Sequence, residues 1–163
     1  MNFTDWFTEE LERSAKALAW AVEQVPAERQ TRQPPKALGE WPAARHIFHL
    51  AYYEQTYALP GMRQWLGEPM PEVDFHAEDT AWTGKERVED LLAQFQKVRQ
   101  QQIDLLAKFN DSDWLVTNET IWGPVTLLWV VTKTYQHTAL HTSDILRMTL
   151  FWDRASAREK LQE

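Results

Sequence analysis

Apolar residues recur at steps of three and four along the start of the chain, which is the period of an amphipathic α-helix. Thr4 suits the N-cap of such a helix, and Pro26 cannot continue it. We therefore predict a first helix over residues 4–25. Its apolar stripe consists of Phe7, Leu11, Ala15, Leu18, Val22 and Val25.

The next two helices are indicated by their ends. Proline is favoured at the first helical position and disrupts a helix interior, so a second helix is predicted from Pro42 to the residue before Pro60. Thr83 and Glu86 form a capping-box pattern, which predicts the start of a third helix that runs to about Phe109.

The last helix is predicted to begin at Gly123-Pro124 and to run to Trp152. The charged tail beyond it is expected to be a frayed extension or a short fifth helix. Residues 117–125 suit a short extended piece, although no segment alternates at period two for long enough to predict a longer strand.

The connection over residues 60–83 is rich in proline and glycine and unusually long, so we expect it to cross the body of the protein or to cover a site. Its length lets the second and third helices run parallel instead of forming a hairpin. Four amphipathic helices bury their stripes most simply in a bundle. The predicted fold is all-α, a four-helix bundle with a long crossover connection in one domain over residues 1–163.

Composition excludes several classes of protein. A net charge of −7 without clusters of Lys or Arg argues against nucleic-acid binding. No apolar run approaches the roughly 20 residues of a membrane span. The absence of cysteine excludes disulfides, thiolate zinc sites and a cysteine nucleophile. The acidic first residues lack an apolar signal core, which predicts a cytoplasmic protein.

Two histidines lie four residues apart in a run without glycine or proline. In a helix, His137 and His141 project from one face, one turn apart, as in a two-histidine metal clamp. A catalytic zinc-type site usually has three protein ligands and an open position. His46 and His49 on the second helix, and His76 in the connection, are candidates for the third ligand. The alternative is a surface pair or a hydrogen-bonded core pair without metal.

Other common motifs for metal or catalytic chemistry are absent. A zincin helix requires glutamate directly after its first histidine, where this chain has Thr138. No glutamate stands three residues before any histidine, which excludes a di-iron bundle. The chain also lacks a Gly-rich phosphate loop and the Gly-x-Ser-x-Gly elbow of a hydrolase.

A more specific pattern combines Trp41, His49 eight residues later, and the pair His137 and His141 followed by Asp144. Over most of the chain it resembles the DinB-like (DinB/YfiT) superfamily of metal-dependent four-helix bundles, although this chain has Ser-Asp where the family often has Gly-Gln. The resemblance implies a non-sequential helix order and usually a homodimer. It also selects His49, His137 and His141 as ligands of a divalent metal.

Family members with known chemistry are thiol-dependent transferases and isomerases that use bacillithiol, mycothiol or glutathione. The resemblance therefore implies a metal-dependent transferase or hydrolase that activates a thiol or water towards a small molecule. Three imidazoles suit zinc or nickel, with iron or copper as alternatives. Asp144 and Tyr53 are weak catalytic candidates. The rival interpretations are a non-enzymatic, stress-associated binding bundle and a structural dimer with an empty site.

Nine tryptophans are many for a chain of this size. Tryptophan is enriched at protein interfaces, so Trp65, Trp82 and Trp152 are candidates for a homodimer interface. Arg45, one turn before His49, is expected to be exposed, with contact to an anionic substrate as the alternative.

Overall fold

The computed structural model describes residues 2–161 as a mainly helical chain with one small hairpin. Short 3₁₀ turns occupy Lys36–Leu38, Gln64–Leu66 and Asp113–Leu115, and Glu54–Ala58 is π-helical. The helices are α1 (Phe3–Gln24), α2 (Ala27–Gln30), α3 (Ala43–Tyr53), α4 (Leu59–Arg63), α5 (Ala77–Ala81), α6 (Val88–Leu106) and α7 (Leu127–Lys160). The strands are β1 (Thr117–Thr120) and β2 (Gly123–Thr126).

Two apolar clusters fill the two ends of the bundle. The first contains the C-terminal halves of α1 and α7 and the N-terminal parts of α3 and α6. The second contains the opposite ends of α1, α6 and α7 together with α4. Consequently α1 runs parallel to α7, α3 runs parallel to α6, and the two pairs are antiparallel. Both α1 and α3 pack against α6 and α7, which confirms the predicted bundle and its parallel second and third helices.

The start of α1 differs from the prediction, because Asn2 and not Thr4 is the N-cap. The Asn2 side-chain oxygen accepts hydrogen bonds from the backbone N–H groups of Thr4 at 2.9 Å and Asp5 at 3.4 Å. Thr4 lies inside the first turn, where its hydroxyl accepts a hydrogen bond from the Trp114 indole. The helix ends before Pro26, as predicted.

The prediction that the second helix stops before Pro60 is wrong. After α3, the π-helical turn carries the chain directly into α4, which ends at Arg63. The Leu59 N–H bonds to the carbonyl of Glu54, five residues back. This change of hydrogen-bond register places Pro60 in the first turn of α4, where its missing N–H costs little.

The capping box forms, but it does not begin the third helix. The Thr83 N–H donates to a Glu86 carboxylate oxygen at 2.9 Å, and the Lys85 N–H donates to the Thr83 hydroxyl at 3.2 Å. Gly84 has φ +73°, a left-handed conformation that closes a turn and cannot continue a right-handed helix. The helix α6 therefore begins only at Val88.

The last helix also begins later than predicted, because Pro124 lies in β2. Residues of β1 and β2 pair antiparallel, with Thr117 opposite Thr126, so the predicted extended piece is a hairpin. The Thr126 hydroxyl then caps α7 by accepting from the Trp129 N–H at 3.2 Å. The helix continues past Trp152 to Lys160, and Ala155 in this extension still packs on the core. The extra short helices are instead α2 and α5.

The tryptophans proposed for an interface are engaged within the chain. Trp152 is 5% exposed and lies in the core, which makes its assignment to an interface wrong. Trp82 packs against the same core, and the Trp65 indole donates to the Val116 carbonyl at 2.9 Å. The exposed tryptophans among the described residues are Trp6, Trp20 and Trp129. None of the described helices has the length and apolar character needed to cross a membrane.

Candidate metal centre

Three histidines meet where α3 packs against α7. The Nε2 atom of His137 lies 3.0 Å from Nε2 of His49 and 3.1 Å from Nε2 of His141. The helical period places His137 and His141 one turn apart, and the packing of the two helices brings His49 to them. The structure thus brings together the three side chains predicted as ligands. His76, at the start of α5, belongs to neither group of potential ligands among the described residues.

The protonation pattern of the rings directs lone pairs into the cluster. Nδ1 of His49 contacts both carboxylate oxygens of Glu78, at 2.8 and 3.0 Å, so that nitrogen carries the proton and Nε2 is free to accept. Nδ1 of His141 is engaged on the far side of its ring by His46. Nδ1 of His137 is buried and has no hydrogen-bond partner within residues 2–161.

This donor set suits a divalent metal ion. Imidazole nitrogen is a favoured ligand of zinc, nickel, copper and iron(II). Tetrahedral nitrogen ligands at the usual zinc distance of about 2.0–2.1 Å stand about 3.4 Å apart, only a few tenths of an ångström more than the separations found here. Side-chain rotations are enough to supply that difference.

Burial keeps His46, His137 and His141 neutral near pH 7. Desolvation is the main cause that lowers the pKa of His137 from 6.5 to about 3, with a further contribution from the charge of His49. Desolvation also lowers the pKa of His46 to about 4, although Asp144 opposes the shift. Burial, followed by the charge of His137, lowers the pKa of His141. Neutral imidazoles keep the lone pairs that a metal requires.

The crossover connection supplies the carboxylate that orients His49. Glu78 lies on α5 and also forms an ion pair with the Arg45 guanidinium at 3.1 Å. Asp79 pairs with the same nitrogen of Arg45 at 2.8 Å. Arg45 is 5% exposed, so the expectation of an exposed arginine is wrong. Its guanidinium is stabilised by these carboxylates and by the faces of three aromatic rings, those of Trp41, Phe48 and Trp82.

A surface cleft of about 470 Å³ reaches the other side of the cluster. The indole of Trp41 stacks on the His141 ring, with centroids 6.0 Å apart and planes at 9°, and it meets His46 and His49 edge-on. Asp144 lines the cleft and lies 3.5 Å from Arg147, its neighbour on α7. Asp144 thus stands at the mouth of the cleft, where it forms a second group of potential metal ligands with His46 and His141.

Tyr53 forms part of the inner wall. Its ring meets His137 edge-on, with centroids 4.4 Å apart. Its hydroxyl is buried and has no hydrogen-bond partner in the part of the chain that the structure describes. Burial, and secondly the charge of Glu54, raises the pKa of Tyr53, so the hydroxyl stays protonated and available as a donor.

Sequence reasoning missed the residues that support the histidines. Glu78 lies in a connection without periodicity, and its only signal was that a connection of this length was expected to cover a site. The contact of His46 with His141 depends on the packing of α3 against α7. No local pattern distinguishes these partners from ordinary polar residues.

Comparison with known proteins agrees with this architecture. The model of the DinB superfamily matches residues 10–145. YfiT from Bacillus subtilis, described as a probable metal-dependent hydrolase with an unusual four-helix bundle topology, superposes with a TM-score of 0.75. Its sequence is 21% identical, with 91% of this chain and 88% of that chain covered.

A mycothiol-dependent maleylpyruvate isomerase superposes with a TM-score of 0.70 at 15% identity, with coverage of 87% of this chain and 60% of the isomerase. A variant of that isomerase matches equally well in structure, at 14% identity. At these identities the likeness establishes the fold alone. No curated protein sequence matches significantly. On the match of its sequence to the family model, the chain belongs to the DinB superfamily.

Proposed function

We propose that His49, His137 and His141 bind a divalent metal ion, and that the protein uses this ion to activate a thiol or water towards a small electrophile. The observation that carries the proposal is the meeting of three histidine Nε2 atoms, with separations of 3.0 and 3.1 Å along two contacts. Support comes from YfiT, described as a probable metal-dependent hydrolase, and from the mycothiol-dependent isomerase.

The metal would be zinc or nickel, with iron or copper as alternatives, because imidazole suits all four. When bound, such an ion lowers the pKa of a coordinated water or thiol and so supplies a nucleophile near neutral pH. The chain contributes the orientation of the ligands. Glu78 holds the proton of His49 on Nδ1, which leaves Nε2 directed into the cluster.

Two further side chains have proposed roles in the reaction. The Tyr53 hydroxyl beside His137, which has no partner within residues 2–161, would donate a hydrogen bond to the substrate atom on which negative charge develops. Asp144 at the mouth of the cleft would accept a proton released there, since its carboxylate is partly exposed and only loosely paired with Arg147.

The metal content of protein purified without a histidine tag tests the first part of the proposal. Stoichiometric zinc or nickel is expected by mass spectrometry, with a sharp loss on replacing any one ligand by alanine. His76→Ala is the matched control, because His76 lies outside both groups of potential ligands. If His46→Ala abolishes binding while His49→Ala does not, the assignment of the third ligand is wrong.

A thiol-conjugation screen with and without the metal tests the second part. Metal-dependent conjugation of bacillithiol, mycothiol or glutathione to small electrophiles is expected. A loaded protein that catalyses neither conjugation nor hydrolysis would instead be the non-enzymatic binding bundle, and a protein that binds no metal would be the structural dimer.

We also propose a cytoplasmic homodimer without nucleic-acid partners, in line with the charge of −7 and the exposed indoles of Trp6, Trp20 and Trp129. Light scattering tests the oligomeric state. A constant mass near that of the 19.2 kDa chain across a broad concentration range would exclude the dimer.

A further inference from the structure

His46 makes the shortest contact in the histidine cluster without joining the three Nε2 atoms. Its Nδ1 lies 2.7 Å from Nδ1 of His141, and its side chain is buried. Two Nδ1 atoms at this distance share one proton, so one imidazole donates and the other accepts. The contact therefore couples the tautomers of the two rings.

The position of Nε2 in His141 decides which ring donates. That atom faces Nε2 of His137 at 3.1 Å, on the side where the proposed metal would bind. A ligand nitrogen must be free of its proton. His141 therefore carries its proton on Nδ1 and donates it to Nδ1 of His46, while His46 carries its own proton on Nε2.

We propose that His46 is a positioning residue, which fixes the tautomer and ring orientation of His141 as a ligand. This inference rests on the proposed function. A carboxylate or carbonyl usually accepts the outer N–H of a metal-bound histidine, as Glu78 does for His49. Here a neutral imidazole takes that place, and the parallel indole of Trp41 holds the plane of the same His141 ring.

The structure also contains a rival arrangement. Ligand atoms of His46, His141 and Asp144 lie within 4.8 Å of one another and could themselves hold an ion. That site would use Nδ1 of His141 and would break its hydrogen bond to His46. Asp144 lies near Arg147 in the open cleft, and His46 lines the same cleft although only 7% of it is exposed.

The test compares His46→Leu, His46→Asn and Asp144→Asn with the wild type. Leucine removes the acceptor at similar size, whereas the asparagine oxygen can replace Nδ1 as an acceptor. Zinc affinity, measured by chelator competition, is expected to fall about 10–100-fold in His46→Leu. We expect substantial recovery in His46→Asn and no change in Asp144→Asn or in the control His76→Leu.

Nitrogen NMR of the metal-free protein gives a second readout, which can be measured without a bound metal. In the wild type, His141 is expected as the Nδ1–H tautomer, and His46→Leu is expected to shift it towards Nε2–H. Circular dichroism of each variant checks that the helices form.

Three results would overturn the inference. They are an Nε2–H tautomer of His141 in the wild type, a zinc affinity unaffected by His46→Leu, and a loss in Asp144→Asn as large as that in His46→Leu. A wild type that binds no zinc but holds the Nδ1–H tautomer would refute the proposed function while supporting the hydrogen bond.

Discussion

Two buried polar clusters meet on helix α7, and they differ in how their polar groups are satisfied. Arg99 on α6 is 1% exposed, yet its guanidinium is surrounded by acceptors. It donates to the Glu54 carboxylate, to the Leu11 carbonyl at 2.9 Å, to the Ser14 hydroxyl at 2.7 Å and to the Thr138 hydroxyl at 2.7 Å. These contacts tie all four sides of the bundle together at one residue.

The histidine cluster includes His137, which directly precedes Thr138 of the Arg99 network. Its hydrogen bonding is incomplete by comparison. Its three Nε2 atoms face one another along contacts of 3.0 and 3.1 Å, while Nδ1 of His137 and the Tyr53 hydroxyl have no partner within the described residues. Buried polar groups are normally paired, so such gaps are expected at functional sites. The difference indicates that the Arg99 network specifies how the helices pack, whereas the histidine cluster is arranged to bind a ligand.

Breaking the Arg99 network should have the largest effect. Arg99→Met leaves the Glu54 carboxylate buried without its partner, and the loss of a buried pair member costs about 3–5 kcal/mol of unfolding free energy. Urea unfolding monitored by circular dichroism measures it. The double variant Arg99→Met with Glu54→Leu removes both charges and should recover most of the loss. An equal loss in both variants would contradict an electrostatic origin.

Filling the histidine cluster should stabilise the fold by a smaller amount. Zinc at about one hundred times its dissociation constant should raise the unfolding free energy by about 2.7 kcal/mol, because only the folded chain presents the site. A chelator should reverse the effect, and His137→Ala should abolish it. His76→Ala should keep the full stabilisation. An equal response of His137→Ala and wild type would mean that zinc binds elsewhere.

The metal-free cluster should make stability depend on pH. The pKa of His137 is about 3 in the folded chain against about 6.5 when unfolded, so below pH 6.5 the unfolded state binds a proton that the folded state does not. The contribution of His137 to the free energy of unfolding is therefore fully present above pH 6.5, and it is lost as the pH falls below that value. Each such histidine contributes at most about 1.4 kcal/mol per pH unit.

Urea unfolding of the metal-free protein between pH 7 and pH 5 measures this slope. His137→Leu should lower it by the contribution of one histidine, whereas His76→Leu should leave it unchanged. A slope identical in His137→Leu and wild type would show that His137 titrates alike in the folded and unfolded states.

Removing the Tyr53 hydroxyl should have the smallest effect on stability. The hydroxyl is buried without a partner in the described chain, so Tyr53→Phe should change the unfolding free energy by no more than about 0.5 kcal/mol. Zinc affinity should also be unchanged. Any thiol-transfer rate should fall, since the variant loses the proposed donor. A large destabilisation would instead assign the hydroxyl to the structural network.

The helices were predictable because their signals are local, and the errors arose where a local signal was overridden. An apolar stripe identified α1, and Pro26 ended it. The second helix does not end before Pro60, contrary to the prediction, because a π-helical turn shifts the hydrogen-bond register just before that residue. The third long helix does not begin at Thr83, because Gly84 has a left-handed backbone conformation. The last helix does not begin at Pro124, because residues 117–126 pair as a hairpin.

The sequence by itself determined that His137 and His141 share one face, since the helical period is a property of the backbone. It also carried the family resemblance that selected His49, a choice now consistent with the separations between the Nε2 atoms. Only the tertiary structure decided that Glu78 supports His49 and that His46 lies behind His141. Those contacts join residues 29 and 95 positions apart, so they depend on how α5 and α7 pack against α3, which no local pattern encodes.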